Sequence, residues 1–254
     1  MQFTPVRPTR ASAEIISQIR EAIFSGRYRP GDRLPTERDM AKRFGVSRVT
    51  VRDALRALEA AGLVEVRVGG HGGPYVAAPD VSKLTETLGT HVQLRGTTFL
   101  ELSEARLALE LMAAELAATR VTEEELAQMR ELVEGPTRPE PDTAGGLLDF
   151  HRLVVSAAHN SALLDMWTAS RTLIQQPFDI LHALRPATAQ AAHRSHRQLY
   201  RALAEHQPEQ AVRIVREHLS DFAMRAERAF TESRRRELRA TQAAGRQLDR
   251  EQVR

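Results

Sequence analysis

Nine histidines and no cysteine define the metal chemistry open to this 254-residue chain. Without thiols, disulfides, cysteine nucleophiles and sulfur-ligated metals are excluded, so any metal must be held by imidazole and carboxylate. His151, His196 and His218 stand out because each lies among apolar neighbours: Phe150 and Val154, Leu199, and Val215 and Leu219. On helices, such placement turns the rings inward. Neutral imidazoles from facing helices can there share one divalent ion, with zinc, nickel and manganese as the candidates. A buried histidine can equally bond a backbone carbonyl or fill a core, so the residues alone leave both readings open. His91, His159, His182, His193 and His206 read as surface or helix-end residues. Arg106 is a second candidate. Its guanidinium is of the kind that forks onto carboxylates, and on its own helix it can pair with Glu110 one turn on.

A different chemistry lies between Pro30 and Val64, in PGDRLPTERDMAKRFGVSRVTVRDALRALEAAGLV. Thr36 is a good N-cap for a helix carrying Glu37 and Asp39 in its first turn, and Gly45 supplies a tight break. Ser47 caps a second helix, whose Val51, Ala54, Leu55 and Leu58 share one face. Arg48, Thr50 and Arg52 are left near its N-terminus, off the apolar stripe. Basic and hydroxyl residues opening the second of two helices across a short turn suit entry into a DNA major groove. Arginine can fork onto guanine O6 and N7, while Thr50 and the helix N-terminal amides suit phosphate.

The elements around these residues follow from periodicity and punctuation. Residues 11–25 read as a helix ended by Gly26. Val64 to Val68 alternates like a strand, a glycine-rich turn follows, and Tyr75 to Ala77 returns, which makes a wing. Beyond Asp80 no strand signal remains. Helices are predicted over 81–94, 99–120, 122–133, 147–159, 161–184 and 187–206, and in a last segment opened by Pro208. A Pro- and Gly-rich loop covers 135–146. The expected fold is mainly α: a winged helix-turn-helix over 11–78, a linker over 79–84, an antiparallel helical bundle over 85–231 and a charged tail over 232–254. Charge follows the same division, at +5 for residues 1–78, −5 for 79–231 and +3 for 232–254. A basic head on an acidic body suits a nucleic-acid domain joined to a different one. No run approaches the ~20 apolar residues of a membrane span, and the N-terminus has no apolar signal core, so a cytoplasmic protein is expected.

The run from Pro30 through the wing resembles the N-terminal domain of the GntR family of bacterial transcriptional regulators, over about residues 11–78. The resemblance implies operator contacts from Arg38, Arg48, Thr50 and Arg52. Ser47 lies at the head of the recognition helix, and the wing tip, with Gly70 and His71, is expected in the minor groove. The body resembles the helical ligand-binding (FCD) domain of the subfamily that includes the fatty-acid-responsive regulator. That likeness rests on Glu104-Ala105-Arg106 with Glu110, on Phe150-His151 followed by Asn160, and on His196 and His218 bracketing PEQAVRIVREHL. It implies a divalent metal in the bundle centre, a small carboxylate beside it, and Arg106 near the effector. The family pattern also has an aspartate four residues before its first histidine. Here that position is Leu147, and Asp149 lies about 200° around the helix from His151.

These readings point to an effector-controlled transcriptional regulator, expected to be a repressor, whose homodimer would span two operator half-sites. Two other classes compete. A metal-dependent hydrolase fused to a DNA-binding head would want a general base and cleft, and no HExxH, GxSxG or P-loop is present. An architectural dimer without effector would leave a buried histidine cluster unexplained. No enzyme is expected.

Overall fold

A computed structural model describes residues 10–69, 72–134, 144–184 and 187–228, and the chain divides into two units between Leu84 and Thr85. In the first unit, α1 (Arg10–Phe24), α2 (Glu37–Phe44) and α3 (Arg48–Ala60) precede β1 (Val64–Arg67) and β2 (Gly73–Val76). Both helix starts are fixed by hydroxyl caps: Thr36 Oγ1 accepts from the Asp39 amide and Ser47 Oγ from the Thr50 amide, each at 3.2 Å. Gly45 closes α2 in the left-handed region at φ 65°, where a side chain would be strained. The apolar face of α3 (Val51, Ala54, Leu55, Leu58) packs on Ile15 and Ile19 of α1 and on Met40, with Leu34, Val64 and Val76 closing the core.

The wing is an antiparallel pair in which Val64 faces Val76 and Arg67 faces Gly73. Residues before α2 extend it: the Leu34 amide donates to the Pro74 carbonyl and Gly31 to Val76, both at 2.9 Å. The sheet edge is thereby covered, and the wing is tied to the helices.

Helices joined by short turns make up the described residues of the second unit. Helix α4 (Val81–Arg95) begins inside the stretch expected as linker and has no buried side chain. Then come α5 (Phe99–Arg120), α6 (Glu123–Glu134), α7 (Ala144–Ser156), α8 (Ser161–Leu184) and α9 (Ala187–Ala204), and a further helix, α10, over residues 208–228. Reciprocal caps start two of them, with Thr98 and Glu101 opening α5 and Thr122 and Glu125 opening α6. Helix α5 packs on α7, α8 and α9, and alanines at 113, 114, 117 and 118 let those neighbours approach closely. One core joins α5, α6, α7, α9 and residues 208–228 around Phe150, Leu199 and Leu203, and a second gathers around Trp167. Among the described residues no helix is long and apolar enough to cross a membrane. The expected tail, 232–254, lies outside the described residues.

Candidate metal centre and nucleic-acid interface

His151 on α7, His196 on α9 and His218 on α10 converge in the bundle. His196 Nε2 and His218 Nε2 lie 3.1 Å and 3.3 Å from His151 Nε2. Tetrahedral imidazole ligands about 2.0–2.1 Å from a metal sit about 3.3 Å from each other, so the spacing fits one shared ion. The packing that holds the rings is aromatic: Phe150 stacks on His196 at 4.5 Å between centroids, and His151 on His218 at 5.3 Å.

Beneath the cluster, Glu110 of α5 organises the second layer. Its Oε2 takes a 2.6 Å bond from His151 Nδ1, and its Oε1 accepts from Arg106 Nε at 2.6 Å and Trp167 Nε1 at 2.8 Å. Placing the His151 proton on Nδ1, toward the carboxylate, leaves the Nε2 lone pair facing the other two imidazoles, as a metal-ligand histidine requires. Burial favours the neutral ring in all three. It lowers His151, puts His196 well below its ordinary value and, with the positive charges of His151 and Arg106, takes His218 down to about 3. Burial opposes ionisation of Glu110, but Arg106, His151 and the Trp167 bond outweigh it and hold the carboxyl far below the usual range.

Arg106 and Glu110 are 4% and 2% exposed. Arg106 Nη2 is buried and forms no hydrogen bond, and its charge is felt by all three imidazoles. Arg106 pairs with Glu110, and its Nη2 is left without a partner. Among the described residues no carboxylate joins the three histidines. Asp149 points away from them to Arg171 on α8, at 3.1 Å. The Leu147 side chain lies outside the described residues, and an alkyl group supplies no ligand atom. Glu110 as the junction of the site, and Trp167 beneath it, are missed by sequence reasoning. The available signal was an acidic residue on the apolar side of α5 in a chain with a single tryptophan.

In the head, Ser47, Arg48, Thr50 and Arg52 cluster at the start of α3, and Ser47 Oγ and Thr50 Oγ1 share a 2.9 Å bond. Arg52 forks onto Glu37 of α2, its Nε and Nη2 lying 3.2 Å and 2.9 Å from the two oxygens, and Arg48 Nη2 stands 3.8 Å from the same carboxylate. Arg38, next to Glu37 on α2, is loosely paired with Asp39 at 3.8 Å. Val49, 64% exposed, adds an apolar side chain at the same end of α3. The expected wing-tip contacts Gly70 and His71 lie outside the described residues. Their flank is held by Arg33, whose Nη2 donates to the Gly72 carbonyl at 2.6 Å, while Arg67 stacks on Tyr75 at 4.2 Å. A side chain at Gly72 would meet the Arg67 carbonyl at 2.5 Å, so this turn requires glycine.

A winged helix-turn-helix presenting arginines at the open end of its second helix, joined to a helical body with a buried polar centre, defines a DNA-binding transcriptional regulator. Comparison with known proteins agrees. Residues 11–72 match the bacterial regulatory proteins of the gntR family, and residues 101–221 match the FCD domain. The chain is 37% identical over 166 residues to the Uxu operon transcriptional regulator of Escherichia coli (strain K12), a match covering 63% of each. It therefore spans less than two thirds of that relative. It is 28% identical over 206 residues to the HTH-type transcriptional regulator LutR of Bacillus subtilis (strain 168), covering 78% of this chain and 93% of that one. A solved structure described as Streptococcus agalactiae GntR shares the fold at a TM-score of 0.61 and 23% identity, covering 85% of this chain and 99% of that one. The chain belongs to the GntR family of transcriptional regulators, with a C-terminal FCD domain.

Proposed function

We propose that this regulator binds a palindromic operator as a homodimer through Arg38, Arg48, Thr50, Arg52 and the wing around Gly70 and His71, and that a small carboxylate bound at a metal in the bundle controls that binding. In this reading repression is relieved when the effector is present. The observation that carries it is the convergence of three imidazoles, those of His151 and His196 buried and that of His218 half-buried, with a carboxylate bonded to His151 Nδ1. His151, His196 and His218 would hold the ion, which supplies Lewis-acid affinity for an anion. Arg106 would turn its unpartnered Nη2 toward the same anion. Ser47 supports the reading of the head by fixing the first turn of α3, where Arg48 and Arg52 can reach base edges.

Elemental analysis of gently purified protein, beside the His196→Ala variant, tests the metal. About one equivalent of zinc, nickel or manganese per chain, lost in the variant, is the expected result. Metal absent from both, even after divalent ions are added back, would overturn the site.

A further inference from the structure

We infer that the DNA-binding head carries a ligand site of its own, in the cleft between α1 and α2, for a small monocarboxylate with an apolar body. The cleft has a volume of about 330 Å3, at the small end of ligand pockets, which run about 300–1,000 Å3. Local structure makes it. After α1 ends, the Tyr28 amide donates to the Ala22 carbonyl at 3.1 Å, which folds the connection back onto the helix. Leu34 and Pro35 then lead the chain across to α2. Ile19, Ala22, Leu34 and Met40 line the cleft and are buried, with Tyr28 and Phe44 half-buried beside them. Water against such walls is favourably displaced by hydrocarbon.

The rim is charged. Arg27 and Arg43 stand there exposed, and neither forms a hydrogen bond or ion pair with a described residue. Arg52, Arg67 and Arg33 of the same unit are by contrast engaged, with Glu37, Glu65 and the Gly72 carbonyl. Glu21 is the one acid among the lining residues, so two arginines leave the rim a net charge of +1. Free guanidiniums above apolar walls suit a single carboxylate on a hydrocarbon body. A neutral hydrocarbon would leave the arginines unused, and a sugar acid would set hydroxyls against walls that offer them no partner. Position gives the site its consequence. Ile19, Leu34 and Met40 belong to the core in which α3 seats Val51, Leu55 and Leu58. A ligand against them bears on the recognition helix from within the head, without the bundle.

The test uses metal-stripped full-length protein carrying His196→Ala, labelled with 13C at the methionine methyls, and sodium phenylacetate as the probe. The six methionines include Met40 in the cleft and Met129 in the bundle core, so one spectrum reports both units, and Met40→Leu assigns the first signal. The Met40 methyl should shift and saturate with phenylacetate while Met129 stays still. Acetate, which lacks the body, and phenylacetamide, which lacks the charge, should each bind about tenfold more weakly, and so should phenylacetate to the Arg27→Gln, Arg43→Gln double variant. Phenylacetate should also change the affinity of the His196→Ala protein for an operator duplex, and the two arginine replacements should remove that change. An unmoved Met40 signal, equal binding of phenylacetamide, or binding that survives both arginine replacements would overturn the site. A shift at Met129 alone would put the anion in the bundle, and a Met40 signal that moves with protein concentration before any ligand is added would give the cleft to a second copy; each also overturns it. Unchanged operator affinity with phenylacetate bound at Met40 would overturn the link to α3.

Discussion

Replacing Glu110 with glutamine would take one charge from a place where three partners depend on it. Arg106 would keep a buried positive charge without its 2.6 Å counterion, and His151 would lose the acceptor that sets its tautomer. Breaking a buried pair from one side costs roughly 3–5 kcal/mol, so the Glu110→Gln variant should unfold at markedly lower denaturant. An unchanged midpoint would mean that the pair contributes nothing to stability. The same residues give the metal-free protein an acid-sensitive fold. His218 is held near 3 by burial and by the His151 and Arg106 charges, and burial lowers His151 and His196. An unfolded histidine takes up its proton near pH 6.5, well above the folded value, so between the two the unfolded state binds more protons. Stability therefore falls as pH drops below 6.5, by up to about 1.4 kcal/mol per unit per histidine. Glu110 works in the same direction, since its ionised form stabilises the fold above about pH 4.5 and is lost below. Thermal midpoints of stripped protein should decline from pH 7 to 5; flat midpoints would contradict neutral buried imidazoles. Little of this was legible beforehand. An arginine and a glutamate four apart look the same on a surface helix, and their burial depends on Trp167, 57 residues further along.

At the scale of elements, the sequence was most legible where local chemistry decides. Thr36, Ser47 and Thr122 announce helix starts because their hydroxyls satisfy amides within the same turn, and Gly45 announces an end because it sits at φ 65°. What joins one element to another was not legible, and the pairing of α2 with α3 is the case with consequences. Glu37 grips Arg52 through two bonds and stands near Arg48. It both orients these arginines and offsets their attraction to any phosphate backbone. Glu37→Ala should therefore raise affinity for random duplex and steepen its salt dependence by about one phosphate's worth. It should also narrow the preference for an operator selected from genomic fragments. Exposed ion pairs are worth at most about 1 kcal/mol, so folding stability should barely change. Random-duplex affinity that stays the same or falls would remove Glu37 from any part in discrimination. Arg48→Ala or Arg52→Ala should cost operator binding about 1–3 kcal/mol where a forked base contact is lost.

For the whole molecule, the two units carry opposite charge, +5 over residues 1–78 and −5 over 79–231, and each has its own apolar core. DNA attraction belongs to the head, and the buried polar centre belongs to the body. A regulator built this way, if it works as the proposed dimer, can report an effector only if the effector favours one arrangement of that dimer over another. That requirement fixes a quantitative relation. If a carboxylate weakens operator binding of the metal-loaded protein by some factor, operator DNA must weaken carboxylate binding to that same form by the same factor, because both describe one coupling free energy. Two titrations measure it on full-length protein loaded with Co2+ in place of Zn2+. One follows a fluorescent operator duplex with and without glycolate at saturating concentration, and the other follows glycolate binding through the Co2+ bands with and without the duplex. Equal factors above one identify the bundle as the input and the winged heads as the output. Factors of one in both titrations, with glycolate demonstrably bound, would mean that the anion is held for stability alone and that operator binding answers to something else.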